Sequence, residues 1–93
     1  MVMYKIVYST RYKKDFKRCK KRGFPIDILI KVLSVLAKKA ELPATYRPHK
    51  LSGNYNGFWE CHIKPNWLLI WKQDDSKNQI ILERTGTHSD LFK

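Results

Sequence analysis

Apolar residues follow a helical spacing in the first half of the chain and a strand-like spacing in the second. Tyr12, Phe16 and Cys19 are four and three apart, which makes one narrow stripe on a helix over residues 10–22, with Ser9 or Thr10 available as its cap. Gly23 ends that helix and Pro25 suits the start of the next. The second stripe is broader: Leu29, Val32, Leu33 and Leu36 at i, i+3, i+4 and i+7, flanked by Ile26, Ile30 and Val35. Lys38 and Lys39 suit the negative pole of its dipole, and Pro43 prevents continuation.

After a loop over residues 42–47 the pattern changes to short runs rich in β-branched and aromatic residues. They cover 49–51, 57–63, 67–73 and 79–87, and residues 4–9 ahead of the first helix have the same character. Turns at 52–54, 64–66 and 74–78 are short enough to join antiparallel neighbours. The expected fold class is α+β, in the order β-α-α-β-β-β-β. It has an antiparallel sheet of about four to five strands, with both N-terminal helices packed on one face. Residues 1–93 form a single domain, since this length supports one modest core.

Charge narrows the choice of partner. Nineteen Lys and Arg stand against eight Asp and Glu, a net charge of +11, which points to a polyanion. Eight of these cations fall in the first helix: Arg11, Lys13, Lys14, Lys17, Arg18, Lys20, Lys21 and Arg22. Like charges at i, i+4 repel, so an anionic partner is expected to offset them, and Lys13, Lys14 and Lys17 are candidate binding residues. Asp15 and Asp27 read as structural. No apolar run approaches the roughly 20 residues of a spanning helix, and residues 1–5 lack a signal peptide's apolar stretch. The expectation is a cytoplasmic protein in which Cys19 and Cys61 are buried, reduced thiols.

Candidate chemistry lies in the strands and the tail. On a strand over 80–88, Arg84, Gly86 and His88 would share a face, giving a cation, a gap and an imidazole beside a phosphate. The alternative is a surface strand carrying an unrelated Arg and His. His49 opens one strand and His62 lies near the end of the next. Adjacent Cys61 and His62 point to opposite faces, and no C-x-x-C or H-x-x-x-H spacing occurs, so no metal and no cofactor is called for. Several imidazoles with an Arg on a cationic body fit RNA cleavage. That reaction needs a base for the 2′-hydroxyl, a cation for phosphorus and an acid for the 5′-oxygen. Trp59, Trp67 and Trp71 suit sheet packing. Phe92 either plugs the edge of the core or stacks a nucleobase.

Three segments, H-K-L-S-G (49–53), E-C-H-I-K-P-N-W-L-L-I-W (60–71) and L-E-R-T-G-T-H-S-D-L-F (82–92), closely resemble the YafQ branch of the RelE-like toxins. With the opening S-T-R-Y-K-K-D-F-K-R, the resemblance covers essentially the whole chain. It implies a RelE-like fold and the toxin half of a type II toxin–antitoxin pair. Such toxins are ribosome-dependent endoribonucleases that cut mRNA in the ribosomal A site without a metal and so inhibit translation. The partners it implies are a cognate acidic antitoxin, the ribosome with its mRNA, and operator DNA through the antitoxin complex only, with no membrane. The family's functional positions fall on His49, His62, Trp67, Arg84, His88 and Phe92. The expected catalytic set is His49, His62, Arg84 and His88, with Asn66, Trp67 and Phe92 binding substrate. The family commonly has Asp where this chain has Asn66, expected near His62, and an amide cannot accept a proton. Asn66 therefore favours a second functional class, a non-catalytic basic adaptor for ribosomal RNA or an acidic partner. The Arg84, His88, Phe92 constellation favours the enzyme.

Overall fold

Ser9 starts the first helix with its hydroxyl oxygen accepting from the Tyr12 amide at 3.0 Å. Helix α1 (Thr10–Lys21) buries Tyr12 and Cys19, and Gly23, at φ 81°, turns the chain in the left-handed region that glycine tolerates best. Helix α2 (Ile26–Lys39) buries Leu29, Val32 and Leu36 completely. The computed structural model describes residues 3–92, and none of its helices is long and apolar enough to cross a membrane.

Strands β1 (Lys5–Tyr8), β2 (His49–Lys50), β3 (Trp59–Lys64), β4 (Trp67–Asp74) and β5 (Gln79–Gly86) make one sheet in the order β1-β5-β4-β3-β2. The four later strands pair antiparallel, as their short turns require. β1 instead runs parallel to β5, with Lys5 opposite Gln79 and Tyr8 opposite Leu82. Two helices and three strands separate this pair in sequence, so no turn signalled its direction. The sheet is antiparallel except at that edge.

Both long helices cover one face, as expected, packing on Cys61, Leu69, Trp71, Ile80 and Leu82. The opposite face carries a smaller cluster of Leu68, Ile70 and Leu91, edged by Leu51, Tyr55 and Phe58. Covers on both sides bury residues 67–71 of β4 on every position, which is why this run shows no alternation. The second cover comes from a 3-10 turn, Gly53–Tyr55, and from a short helix, α3 (His88–Leu91). The sequence pattern at these places suggests a plain turn and a tail, and neither element is one. Cys19 and Cys61 are buried and unbridged. Burial first, with the Glu60 charge second, pushes the Cys61 thiol up to about 12, leaving it inert.

Helix α3 is fastened by a reciprocal cap: Thr87 Oγ1 accepts from the Asp90 amide, and Asp90 Oδ2 from the Thr87 amide. Arg22 donates to the same carboxylate at 2.8 Å. A Cβ on Gly86 would stand 2.8 Å from Asp90 Oδ2, so the gap read as room for a phosphate is room for Asp90. Desolvation alone would raise the Asp90 pKa, but the Arg22 and Thr87 hydrogen bonds outweigh it and hold it at about 2. A carboxyl depressed in the folded state gives stability that is complete above its unfolded value, about 3.9, and is lost as pH falls through the folded one. Between about pH 4 and 2, α3 should therefore loosen before the sheet. Amide exchange at Leu91 and Phe92, compared with Leu69, checks this.

Candidate active site

A single unpaired residue aims the site. In the β4–β5 ladder Leu82 lies opposite Trp71 and Arg84 opposite Ile70, which leaves Glu83 as a bulge. Before it, Ile80 and Leu82 face the helices; after it, Arg84 and Gly86 face away from them. Strict alternation would have put the guanidinium among the core side chains. On the face opposite the helices, register aligns Arg84, Ile70, Glu60 and His49 across four strands, with Gly86, Leu68 and His62 in the next row. His88 joins them as the first residue of α3, since β5 ends at Gly86.

Arg84 is held from the edge of the sheet. Its Nε donates to Asp15 Oδ2 at 2.6 Å and its Nη2 to Asp15 Oδ1 at 3.2 Å. Asp15 is 4% exposed and also accepts from Arg18 Nη2 and the Thr85 amide. β1 stops at Tyr8, so beyond it α1 borders β5, and Asp15 receives the amide that a strand would otherwise have bonded. The Asp15 hydrogen bond is the main cause raising the Arg84 guanidinium above its already high ordinary value, against the opposing effect of burial. Two donors face the carboxylate, which leaves Nη1, with the Tyr55 hydroxyl also against the guanidinium, for an incoming anion.

The three imidazoles form a row. Ring centroids lie 6.3 Å apart from His49 to His62 and 5.8 Å from His62 to His88, with Phe92 6.5 Å beyond. Their nitrogens are committed differently. His49 Nδ1 faces the Arg47 carbonyl at 2.8 Å and its Nε2 faces Glu60 Oε1 at 3.1 Å. Both ring nitrogens of His49 are therefore taken up by oxygens that only accept. His88 Nδ1 meets Asn66 Oδ1 at 2.8 Å, and the His88 amide donates to the same oxygen. That amide fixes which atom of Asn66 faces the ring and leaves His88 Nε2 free. The His62 ring has no hydrogen-bond partner among the described residues. Asn66 was expected beside His62; the hairpin turn carries it to His88 instead.

The structure does not bring all the expected residues to this row. Trp67 is 2% exposed, donates from Nε1 to Thr85 Oγ1 at 2.9 Å and meets Phe24 edge-on. Its ring faces the helix-covered core and not the histidine row, so the expected substrate contact is not one this position shows; it packs beneath the turn that carries Asn66. Lys13 and Lys17 line a groove between α1 and α2, on the helix-covered side and away from the histidines. Lys14 is exposed and does not line that groove. Phe92 is 44% exposed and packs edge-on against Tyr55 at 5.7 Å, leaving part of its ring open. Glu60 was not singled out: it is 5% exposed, and its Oε2 is buried with no partner among the described residues. The sequence sign was a carboxylate sharing the strand parity of His62. Among the described residues, no group of three or more His, Cys, Asp or Glu side chains is placed to hold a metal ion.

Residues 4–93 match the family model described as the bacterial toxin of type II toxin–antitoxin systems, YafQ. The chain belongs to the YafQ family. It is 38% identical over 93 residues to the mRNA interferase toxin YafQ of Escherichia coli strain K12, covering 99% of each chain. The Escherichia coli DinJ–YafQ toxin–antitoxin complex contains a chain of the same fold, with a TM-score of 0.88 and 36% identity, covering 99% of this chain and 100% of that one. A metal-bound toxin from Helicobacter pylori is also similar, at 39% identity and a TM-score of 0.88, with 97% and 100% covered. The α+β fold expected for a YafQ-like chain is the one observed. The YafQ-type motifs at 49–53, 60–71 and 82–92 all lie within the matched residues.

Proposed function

We propose that this toxin is an endoribonuclease that cuts mRNA in the ribosomal A site by attack of a 2′-hydroxyl, and that its active site is the His49, His62, His88 row with Arg84. The observation that carries this reading is the difference in hydrogen bonding along the row. His62 and His88 keep nitrogens free for proton transfer at neighbouring positions, while both nitrogens of His49 are held by acceptors, so it orients the row. One of the first two removes the 2′-proton and the other protonates the departing 5′-oxygen. Arg84 Nη1 meets the phosphoryl oxygens as charge builds on phosphorus. Phe92 stacks a nucleobase. Imidazoles and a guanidinium are sufficient for these steps, so the reaction proceeds without a metal. The products are a 2′,3′-cyclic phosphate and a 5′-hydroxyl.

The antitoxin partner is read from the family and from surface charge. The α1–α2 groove has an apolar floor of Tyr12, Phe16, Leu29 and Leu33 beneath Lys13, Lys17 and Lys20. That pattern suits an acidic amphipathic segment, whereas Lys14 remains free for ribosomal RNA. Operator DNA is then contacted through the antitoxin complex, and the protein acts in the cytoplasm.

The test is expression of the chain alone and with His88→Ala. Growth arrest with cyclic-phosphate ends, abolished in the variant and insensitive to a chelator level that spares ribosomes, is the expected result. Arrest that persists in the variant favours the basic adaptor. Chelator-sensitive cleavage restored by one added metal would replace the metal-free scheme, a comparison made pertinent by the metal-bound Helicobacter pylori relative.

Asn66 gives a separate prediction. In Asn66→Asp a carboxylate would face His88 Nδ1 and favour the charged ring. The limb of the pH–rate profile contributed by His88 should move to higher pH. Profiles that superimpose would reduce Asn66 to a turn residue.

A further inference from the structure

Two further cations, Arg47 and Lys64, flank the histidine row and pair with nothing acidic among the described residues. Beside His62, a cavity of about 350 Å³ is lined by Thr45, Arg47, Ile63, Lys64 and Pro65, within the size range of small-ligand sites. Arg47 and Lys64 are exposed at its rim, and neither forms an ion pair among the described residues. No carboxylate lines the cavity. Its chemistry is therefore a guanidinium, an ammonium and a hydroxyl, a set of donors suited to phosphate oxygens.

The backbone of Arg47 makes this more than a chance pairing. It sits at φ 49°, ψ 52°, left-handed, ahead of Pro48. An L-residue other than Gly, Asn or Asp rarely adopts this conformation, and it persists only where surrounding contacts fix it. Two contacts do so here. The Arg47 amide donates to the Ala44 carbonyl at 3.0 Å, and the Arg47 carbonyl faces His49 Nδ1 at 2.8 Å. One residue thus orients His49 with its main chain and offers its side chain to a cavity walled by His62. Lys64 opens the turn that carries Asn66, which holds His88.

We infer that this cavity is a subsite for the phosphodiester of the nucleotide adjoining the scissile bond, with Arg47 and Lys64 as its ligands and Thr45 as a further donor. The inference rests on the nuclease reading above and extends it. An RNA strand lying along the histidine row would present its next phosphate where these cations stand. Binding it would fix the strand's register and hold the 2′-hydroxyl in line with the bond to be broken.

The test uses full-length toxin and ribosomes programmed with mRNA that carries an uncharged methylphosphonate linkage, in separate arms, one nucleotide 5′ or 3′ of the cut. The variant is Arg47→Gly with Lys64→Ala. Glycine keeps the left-handed turn, and with it the carbonyl that orients His49, while removing the side chain. Wild type should slow roughly 10- to 100-fold on one of the two modified messages, the effect of losing charge-assisted hydrogen bonds. The variant should slow by a similar factor on unmodified mRNA and be indifferent to that same modification. A variant as fast as wild type, or one that still responds to the modification, overturns the subsite while leaving the nuclease reading intact. Wild type that leaves unmodified mRNA uncut overturns both.

Discussion

Arg84→Ala should lower the single-turnover cleavage rate roughly 10²–10³-fold, the usual cost of losing one preorganised donor to a developing charge. Asp15→Asn should lower it about tenfold, and the double variant should be no slower than Arg84→Ala alone. A carboxylate accepts from both Nε and Nη2 of Arg84, whereas an amide presents one oxygen and one donor to the same edge. The amide would keep the volume but hold only one of the two nitrogens well, so Nη1 would lose its fixed direction. If Asp15 acts through Arg84, removing Arg84 removes the effect, which is the signature of coupled residues. An Asp15→Asn loss that persists in the Arg84→Ala background would assign Asp15 to the fold alone. Asp15→Ala is a different experiment. It leaves two guanidiniums facing a buried gap, at about 3–5 kcal/mol, a large share of a small domain's stability of about 5–15 kcal/mol. Denaturant unfolding should show that loss directly.

Asp15 also shows where sequence reasoning stops. A lone acid among eight cations reads as structural because its main partner lies 69 residues away. The helices were legible because their stripes are local and face one core. β4 was legible as an apolar run, but its burial on both faces concealed the second cover. That cover depends on α3, four residues long and too short for periodicity. Its capping pattern, Thr87 followed by Asp90 three positions later, was the available sign. Alternation accounts for Arg84 and Gly86 sharing a face, but not for His88, which starts α3, and only the Glu83 bulge turns that face away from the helices. Asn66 was read toward His62, its neighbour in sequence, because a turn does not reveal which element folds back over it. Glu60 was passed over because its partner His49 comes from the adjacent strand, a register that turn lengths leave open.

Replacing the 5′-oxygen at the cut by sulfur should restore activity to one, and only one, of His62→Ala and His88→Ala. Each variant should first lose about 10²–10⁴-fold on ordinary mRNA, the range of general acid–base catalysis. A thiolate is a stable leaving group near neutral pH and departs without a proton. The variant lacking the acid therefore recovers, while the variant lacking the base still cannot deprotonate the 2′-hydroxyl. The two rings lie 5.8 Å apart, close enough to flank one phosphate. Each has a nitrogen unclaimed among the described residues, since Asn66 takes only Nδ1 of His88. His49 differs: both of its nitrogens face acceptors, so His49→Ala should slow the oxygen and sulfur substrates by the same factor. Rescue of both variants, or of neither, would show that His62 and His88 do not divide the proton transfers. Rescue of His49→Ala by sulfur would make His49 the acid, and the Glu60 and Arg47 contacts would then have to open during turnover.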